Sequence, residues 1–519
     1  MALPQPLHIF RKDLMHLWPE TLTTLLLIAA FAWAAPSGWS QSQYSGVAVL
    51  LAGFLKYFLI PIAWLVMISR LIHDETLVGD RQFWTSRPYH WAQLFSAKLL
   101  YLLVFLYLPF FLMQVFLLKR AGLYPTTVIP SLLYNLLLLT VIIVVPLTAI
   151  AAVTGTFARM LLTTIGTVIY MLIVSLLVLF LIFRRMPPPG LEYVLIGIFI
   201  LLPLIALVYQ YATRKTLISR LMLAATPLLI ALLLFLTPAT MLIDHSYQLS
   251  TAADAPKLSS LPDGLLPKAS PAGNLMVVRG DVLVSIPVAV SGVDQRSNFI
   301  VHGVAATIDA PGVHWTSPYM NSIGTELGAF RPIANLNVAM PVEVFNKISK
   351  VPADVHLSLA ADHLSAEEPT QWKATLLPFS VPGHGLCSYP PDDPDANPVC
   401  RYPFKTPELN FVTATLAAGD CAAPKAPPTP ARMSLGSGAA FLDFDPVVTL
   451  PLNFQTQDQN PEHHYLVCPG SSLSFIEAKE LGRSRLQVDE KQIVLDPLAA
   501  RMPTRNEAPA QAPPQGDPQ

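Results

Sequence analysis

Over the first half of this chain apolar residues do not alternate with polar ones; they run on with few interruptions. Seven apolar runs stand at approximately 21–36, 46–69, 98–118, 128–154, 160–183, 193–212 and 219–242. Each is close to or above the roughly 20 residues that a helix needs to cross a hydrocarbon core. Ahead of them Phe10, Leu14, Leu17 and Trp18 recur at helical spacing opposite Arg11, Lys12 and Asp13. That pattern fits a helix within residues 1–20 lying in a membrane interface, although a plain solvated N-terminal turn would read similarly. The segment HIFRKDLMHLWPE is too long and too polar to open a cleavable signal peptide.

Beyond residue 243 the pattern changes. Residues 244–273 are rich in Ala, Ser, Pro and Asp without helical periodicity and read as a linker. Val282, Val284, Ile286, Val288 and Val290 then alternate strictly, as a half-buried strand requires, with shorter alternations at 355–359 and 411–416. Ala-Pro-Gly at 310–312 and Val-Pro-Gly at 381–383 are turn signals. The expected architecture is a multi-domain membrane protein: an all-α polytopic helix bundle of about seven spans over 21–243, followed by an all-β, sandwich-like domain over 274–500. The Pro/Ala/Gln-rich tail 501–519 is expected to be disordered.

Composition agrees with that division. Charged residues make up 13% of the chain, against about 25% in soluble proteins. Residues 1–243 hold 15 Lys+Arg and 6 Asp+Glu, whereas 244–519 hold 18 and 28. The near-neutral total therefore hides a basic half and an acidic half. The positive charge sits in short loops between apolar runs, so no nucleic-acid-binding surface is expected. With the N-terminus in the cytoplasm, inside segments carry ten Lys/Arg and outside loops four, which satisfies the positive-inside bias. An odd number of spans then delivers everything after 243 to the periplasmic side of an inner membrane. All four cysteines, Cys387, Cys400, Cys421 and Cys468, lie in that half. Two disulfides are expected there; of the three possible connectivities, Cys387–Cys400 with Cys421–Cys468 is preferred.

The longest polar interruption in the apolar half is the island HDETLVGDRQFWTSRPYHWAQLFSAK, from His73 to Lys98. Glu75, Gly79, Phe83 with Trp84, Arg87 with Pro88, and Lys98 follow in an order that resembles the loop between the second and third helices of ABC-2 type transporter permeases. The resemblance covers about the first 240 residues and departs at Asp80, where many members carry threonine. It implies that the island faces the cytoplasm and docks on a separate ABC ATPase subunit, with Glu75, Gly79, Arg81, Trp84, Arg87, Pro88 and Lys98 forming the coupling surface. It also implies a homodimer, with ATP and magnesium held by the partner. Without the resemblance, the island reads as a solvated loop with an amphipathic helix.

This chain has no phosphate-binding GxxxxGK[ST] loop, no HExxH, no CxxC and no GxSxG, so no catalytic residue, cofactor or metal site is expected on it. The adjacent His463 and His464 would point to opposite faces of a strand. Asp393, Asp395 and Asn397 open like a calcium loop, but Pro398 stands where glycine is needed. Within the spans, Lys56 is costly at about 2.5–3.5 kcal/mol and has no acid in any span to pair with. It reads either as a contact for an anionic substrate or as a lysine in a wet cleft. Gln114 and Asn135 are candidates for the same translocation path, although such residues, like Thr163, also join helices. Pro109, Pro146, Pro203 and Pro227 are expected to kink their helices. The expected function is an exporter permease; the alternative is a membrane-anchored extracytoplasmic ligand-binding or sensing protein.

Overall fold

The structure is a computed structural model, and it describes residues 5–40, 46–75, 91–182, 191–237, 243, 245–249, 257–260, 281–291, 296–328, 333–381, 385–389, 397–405, 410–416, 431–434, 442–455, 464–465 and 467–500. Within these lie seven helices long and apolar enough to cross a membrane. Following α1 (Gln5–His16) come α2 (Trp18–Trp39), α3 (Val47–His73), α4 (Trp91–Arg120) and α5 (Pro125–Val153). Then follow α6 (Phe157–Ile182), α7 (Leu191–Thr213) and α8 (Thr216–Leu236). Their outward faces carry exposed large apolar residues such as Leu50, Leu162, Leu217 and Leu228, as a multi-pass membrane protein would.

Several threonines in these helices are satisfied locally. Thr21, Thr24, Thr140, Thr148, Thr163 and Thr167 each donate their hydroxyl to the carbonyl four residues back, which spares the apolar surroundings an unpaired donor. Three helices contain a widened turn. Ile60, Leu108 and Val145 each donate N–H to the carbonyl five residues back, and the next residue in each case is Pro61, Pro109 or Pro146. A proline ring crowds the carbonyl four residues before it, so the preceding turn opens into a π-turn. Pro203 and Pro227 lie inside continuous α-helices.

The chain forms two compact units. The first comprises Met1–Leu177, Glu192–Leu236 and Ala366–Glu480; the second comprises Val178–Leu191, Thr237–Ser365 and Leu481–Gln519. Residues of the 274–500 stretch contribute to both units. In the first unit, strands Phe379–Val381, Gly385–Ser388, Val399–Pro403 and Val447–Pro451 form one antiparallel sheet. The Asn410–Leu416 strand pairs with Ala431–Ser434 and with residues 473–479. Side chains of both groups, among them Phe379, Tyr402, Leu450, Val412 and Phe475, close on one core.

In the second unit the Asp281–Ser291 strand lies between Ile333–Pro341 on one edge and Lys257–Ser260 with Ala499–Ala500 on the other. Residues 283–288 of that strand are buried at every position, so its expected half-buried alternation is overturned. Both its faces are covered there: Val284, Ile286 and Val288 join the core on one face, and Leu283 and Ser285 are buried on the other. Lys257–Ser260 also places a strand inside the expected linker. A hairpin at 310–313 turns through Gly312 with φ +78°, the left-handed conformation that glycine adopts freely.

Candidate functional site

Two polar clusters lie in the first unit, toward opposite ends of the helices. The first surrounds the ends of the 73–98 island. Helix α1 buries Ile9 and Asp13, four residues apart on one helical face, and Leu17 just beyond it is buried as well. Asp13 had been expected on the polar side of that helix. It lies instead against α4, where its Oδ2 accepts a 2.8 Å hydrogen bond from Lys98 Nζ. Lys98 also meets Glu75 Oε2 at 3.3 Å, and Lys12 donates to Glu75 Oε1 at 3.0 Å. The structure therefore brings together Glu75 and Lys98, which begin and end the expected coupling surface. Gly79, Arg81, Trp84, Arg87 and Pro88 lie outside the described residues.

The electrostatics of this cluster follow its burial. Burial raises the Asp13 carboxyl above its ordinary range against the pull of Lys98. For Glu75, burial is outweighed by Lys98 and Lys12, and its pKa falls below the usual carboxylate value. Burial likewise opposes the Lys12 charge, yet Glu75 holds it above the ordinary lysine value. Nearby, Arg70 pairs with Glu20. His73 Nε2 and Arg220 sit on the carbonyls of Thr154 and Val153, where cationic or N–H groups complement the C-terminus of α5.

The second cluster forms around residues 442–447, Leu-Asp-Phe-Asp-Pro-Val, which enter the cleft between α2, α3, α4 and α5. Phe444 stacks on Trp64 with centroids 5.4 Å apart and rings 19° from parallel. Phe110 and Phe31 meet it edge-on at 5.4 and 5.9 Å. Asp443 Oδ1 accepts a 2.9 Å bond from Lys56 Nζ. Its main-chain carbonyl accepts from Gln114 Nε2 at 3.0 Å and from Asn135 Nδ2, while its N–H donates to Asn135 Oδ1 at 3.2 Å. Asp445 Oδ2 accepts from Trp39 Nε1 at 2.8 Å, and its Oδ1 from the N–H of Val447 at 3.0 Å. Burial raises the Asp445 carboxyl to about 6 against the pull of those two donors.

Lys56, Gln114 and Asn135, the three residues singled out within the spans, thus converge on one aspartate. Each side chain reaches it for a local reason. Lys56 lies in the π-turn before Pro61, and Asn135 lies one turn before the π-turn of α5. Tyr107 and Thr140, from the widened turns of α4 and α5, join at 2.7 Å. Sequence reasoning missed Asp443 and Asp445 because no periodicity marks them. The available signal was a charge among apolar residues with no acid in any span, which demands a partner from elsewhere in the chain.

Lys56 and His73 are 17 positions apart on α3, so the two clusters are separated by about 26 Å along the helix at 1.5 Å per residue. Cys387 and Cys400 face each other across adjacent strands and form a disulfide. Cys468 is also disulfide-bonded, whereas Cys421 lies outside the described residues, as do Asp393, Asp395 and His463. Asn397 Oδ1 accepts from Val467 N–H at 2.8 Å. No group of three or more His, Cys, Asp or Glu residues suited to a metal ion occurs among the described residues. No family model, curated protein or solved structure matches the chain.

Proposed function

We propose that this chain is the membrane permease subunit of an ABC-2-like, ATP-driven exporter, working as a homodimer with a separate cytoplasmic ATPase that holds ATP and magnesium. In this reading the N-terminus is cytoplasmic and the β-rich part of the chain lies on the periplasmic side. The observation that carries the reading is the pinning of both ends of the island at one point. Glu75 and Lys98 meet each other, and Asp13 and Lys12 tie them to α1. A force applied to residues 76–97 would reach α1, α3 and α4 together through that joint, as coupling between an ATPase and a helix bundle requires.

The test is co-purification in detergent from the native host. An ATPase subunit is expected to accompany the wild-type chain, and Arg87→Glu is expected to lose it while the permease still inserts and remains monodisperse. Glu75→Lys would place a third cation beside Lys12 and Lys98 and is expected to lose coupling as well. A wild-type chain that purifies with no nucleotide-hydrolysing partner, or an Arg87→Glu variant with unchanged association and transport, would count decisively against the proposal.

A further inference from the structure

We infer that the cleft between α2, α3, α4 and α5 is a peptide-binding site, filled in cis by residues 442–447, and that it takes an extended peptide carrying an aromatic residue beside a carboxylate. The division of contacts supports this. Asn135 pairs with both the carbonyl and the N–H of Asp443, and Gln114 adds a second donor to that carbonyl. These bonds recognise main chain, which every peptide possesses. Side-chain selection comes from three other features: a slot of Trp64, Phe110 and Phe31 for an aromatic ring, and Lys56 and Trp39 for the carboxylates on either side of it. Main-chain bonds for affinity with side-chain pockets for specificity are how proteins generally hold extended peptides.

A segment that merely anchored a β domain to a bundle would need only the aromatic contact. A lysine among apolar spans costs about 2.5–3.5 kcal/mol, and buried amides in such a place are costly too unless fully used. Here they are not fully used. Gln114 Oε1 and Trp64 Nε1 are buried without a hydrogen-bond partner among the described residues. Both residues are themselves fully buried and belong to the wall that holds the segment. One spare acceptor and one spare donor are what a longer or differently placed peptide backbone would engage. As a binding site the cleft stands on these contacts alone; as the substrate site of an exporter it rests on the function proposed above.

The tether gives residues 442–447 a high effective concentration, so a free peptide competes poorly with them in the wild-type protein. The test weakens the cis occupant and supplies it in trans. The probe is a labelled, end-capped hexapeptide Leu-Asp-Phe-Asp-Pro-Val, and the protein is the full chain in detergent carrying Asp443→Ala with Phe444→Ala. The double variant is expected to bind the probe at least tenfold more tightly than wild type. Adding Lys56→Met is expected to weaken that binding by roughly tenfold, the loss of a charge-assisted hydrogen bond. A monodisperse double variant that binds no better than wild type overturns the inference.

Should the double variant fail to fold, Asp443→Ala with a benzophenone side chain in place of Phe444 removes the Lys56 contact that holds the cis segment, keeps a ring in the slot and tests the same point. Its photocrosslink to α3 or α4 is expected to fall as the hexapeptide is added in excess, and a yield indifferent to the peptide overturns the inference. Neither readout involves an ATPase. Peptide binding without a co-purifying ATPase would remove the exporter and leave the site, and the converse result would do the reverse.

Discussion

Asp445 is a carboxylate whose ordinary state has been made costly by its surroundings. Its pKa is raised to about 6 by burial, whereas an aspartate in an unfolded chain titrates near 3.9. The native state therefore holds this proton more tightly than the unfolded chain does. Its contribution to stability is fully present below about pH 4 and is lost as pH rises through about 6. The 442–447 segment is accordingly expected to sit more firmly at pH 5 than at pH 7.5. Thermal unfolding or limited proteolysis near residue 445, followed across that range, should show the trend, and Asp445→Asn should flatten it. A profile that rises with pH across the same window would contradict this account. The Phe444 ring is the companion contribution, since it fills the slot formed by Trp64, Phe110 and Phe31.

At the scale of elements, α1 is held against the bundle by Ile9 and Phe10 in the apolar core and by one buried ion pair. Asp13 is fully buried and Lys98 is 3% exposed. Removing one partner leaves the other charge uncompensated, which costs about 3–5 kcal/mol, whereas replacing both with apolar residues of similar volume is close to neutral. Lys98→Ala is therefore expected to lower thermal stability markedly, and Asp13→Leu combined with Lys98→Met to recover most of the loss. Circular dichroism of the purified variants in detergent decides the matter; equal destabilisation by the single and the double changes would exclude a charge-based explanation. The elements also show which parts of the fold were legible beforehand. Seven apolar runs became seven helices, since length and hydropathy are local properties. The π-turns did not announce themselves; Pro109 and Pro146 were marked as helix-disturbing and Pro61 was not, yet each of the three follows a π-turn. The Asp281–Ser291 strand was visible from its alternating valines, but burial of both its faces depends on what packs over it.

At the scale of the whole molecule, the candidate site is two clusters on opposite ends of a helix bundle. One holds the ends of a long polar loop and the other receives a segment from the β-rich part, so the proposed function requires the two to face different compartments. Reporter fusions at Trp84 and at Cys421 are expected to report opposite sides of the membrane. Both reporters on one side would remove the arrangement on which coupling depends, whatever the helices do.

Sequence alone determined the helices, the basic and acidic halves, the alternating strands around 355–359 and 411–416 and the suitability of Cys387 and Cys400 for pairing, because each follows from neighbouring residues or from composition. It also marked Glu75, Lys98, Lys56, Gln114 and Asn135 as unusual in their surroundings. Only the tertiary structure decided what those residues meet. Lys56 finds Asp443 across 387 positions of chain and Lys98 finds Asp13 across 85. A charge in an apolar run states that a partner must exist, but its identity depends on long-range packing, which no local pattern encodes.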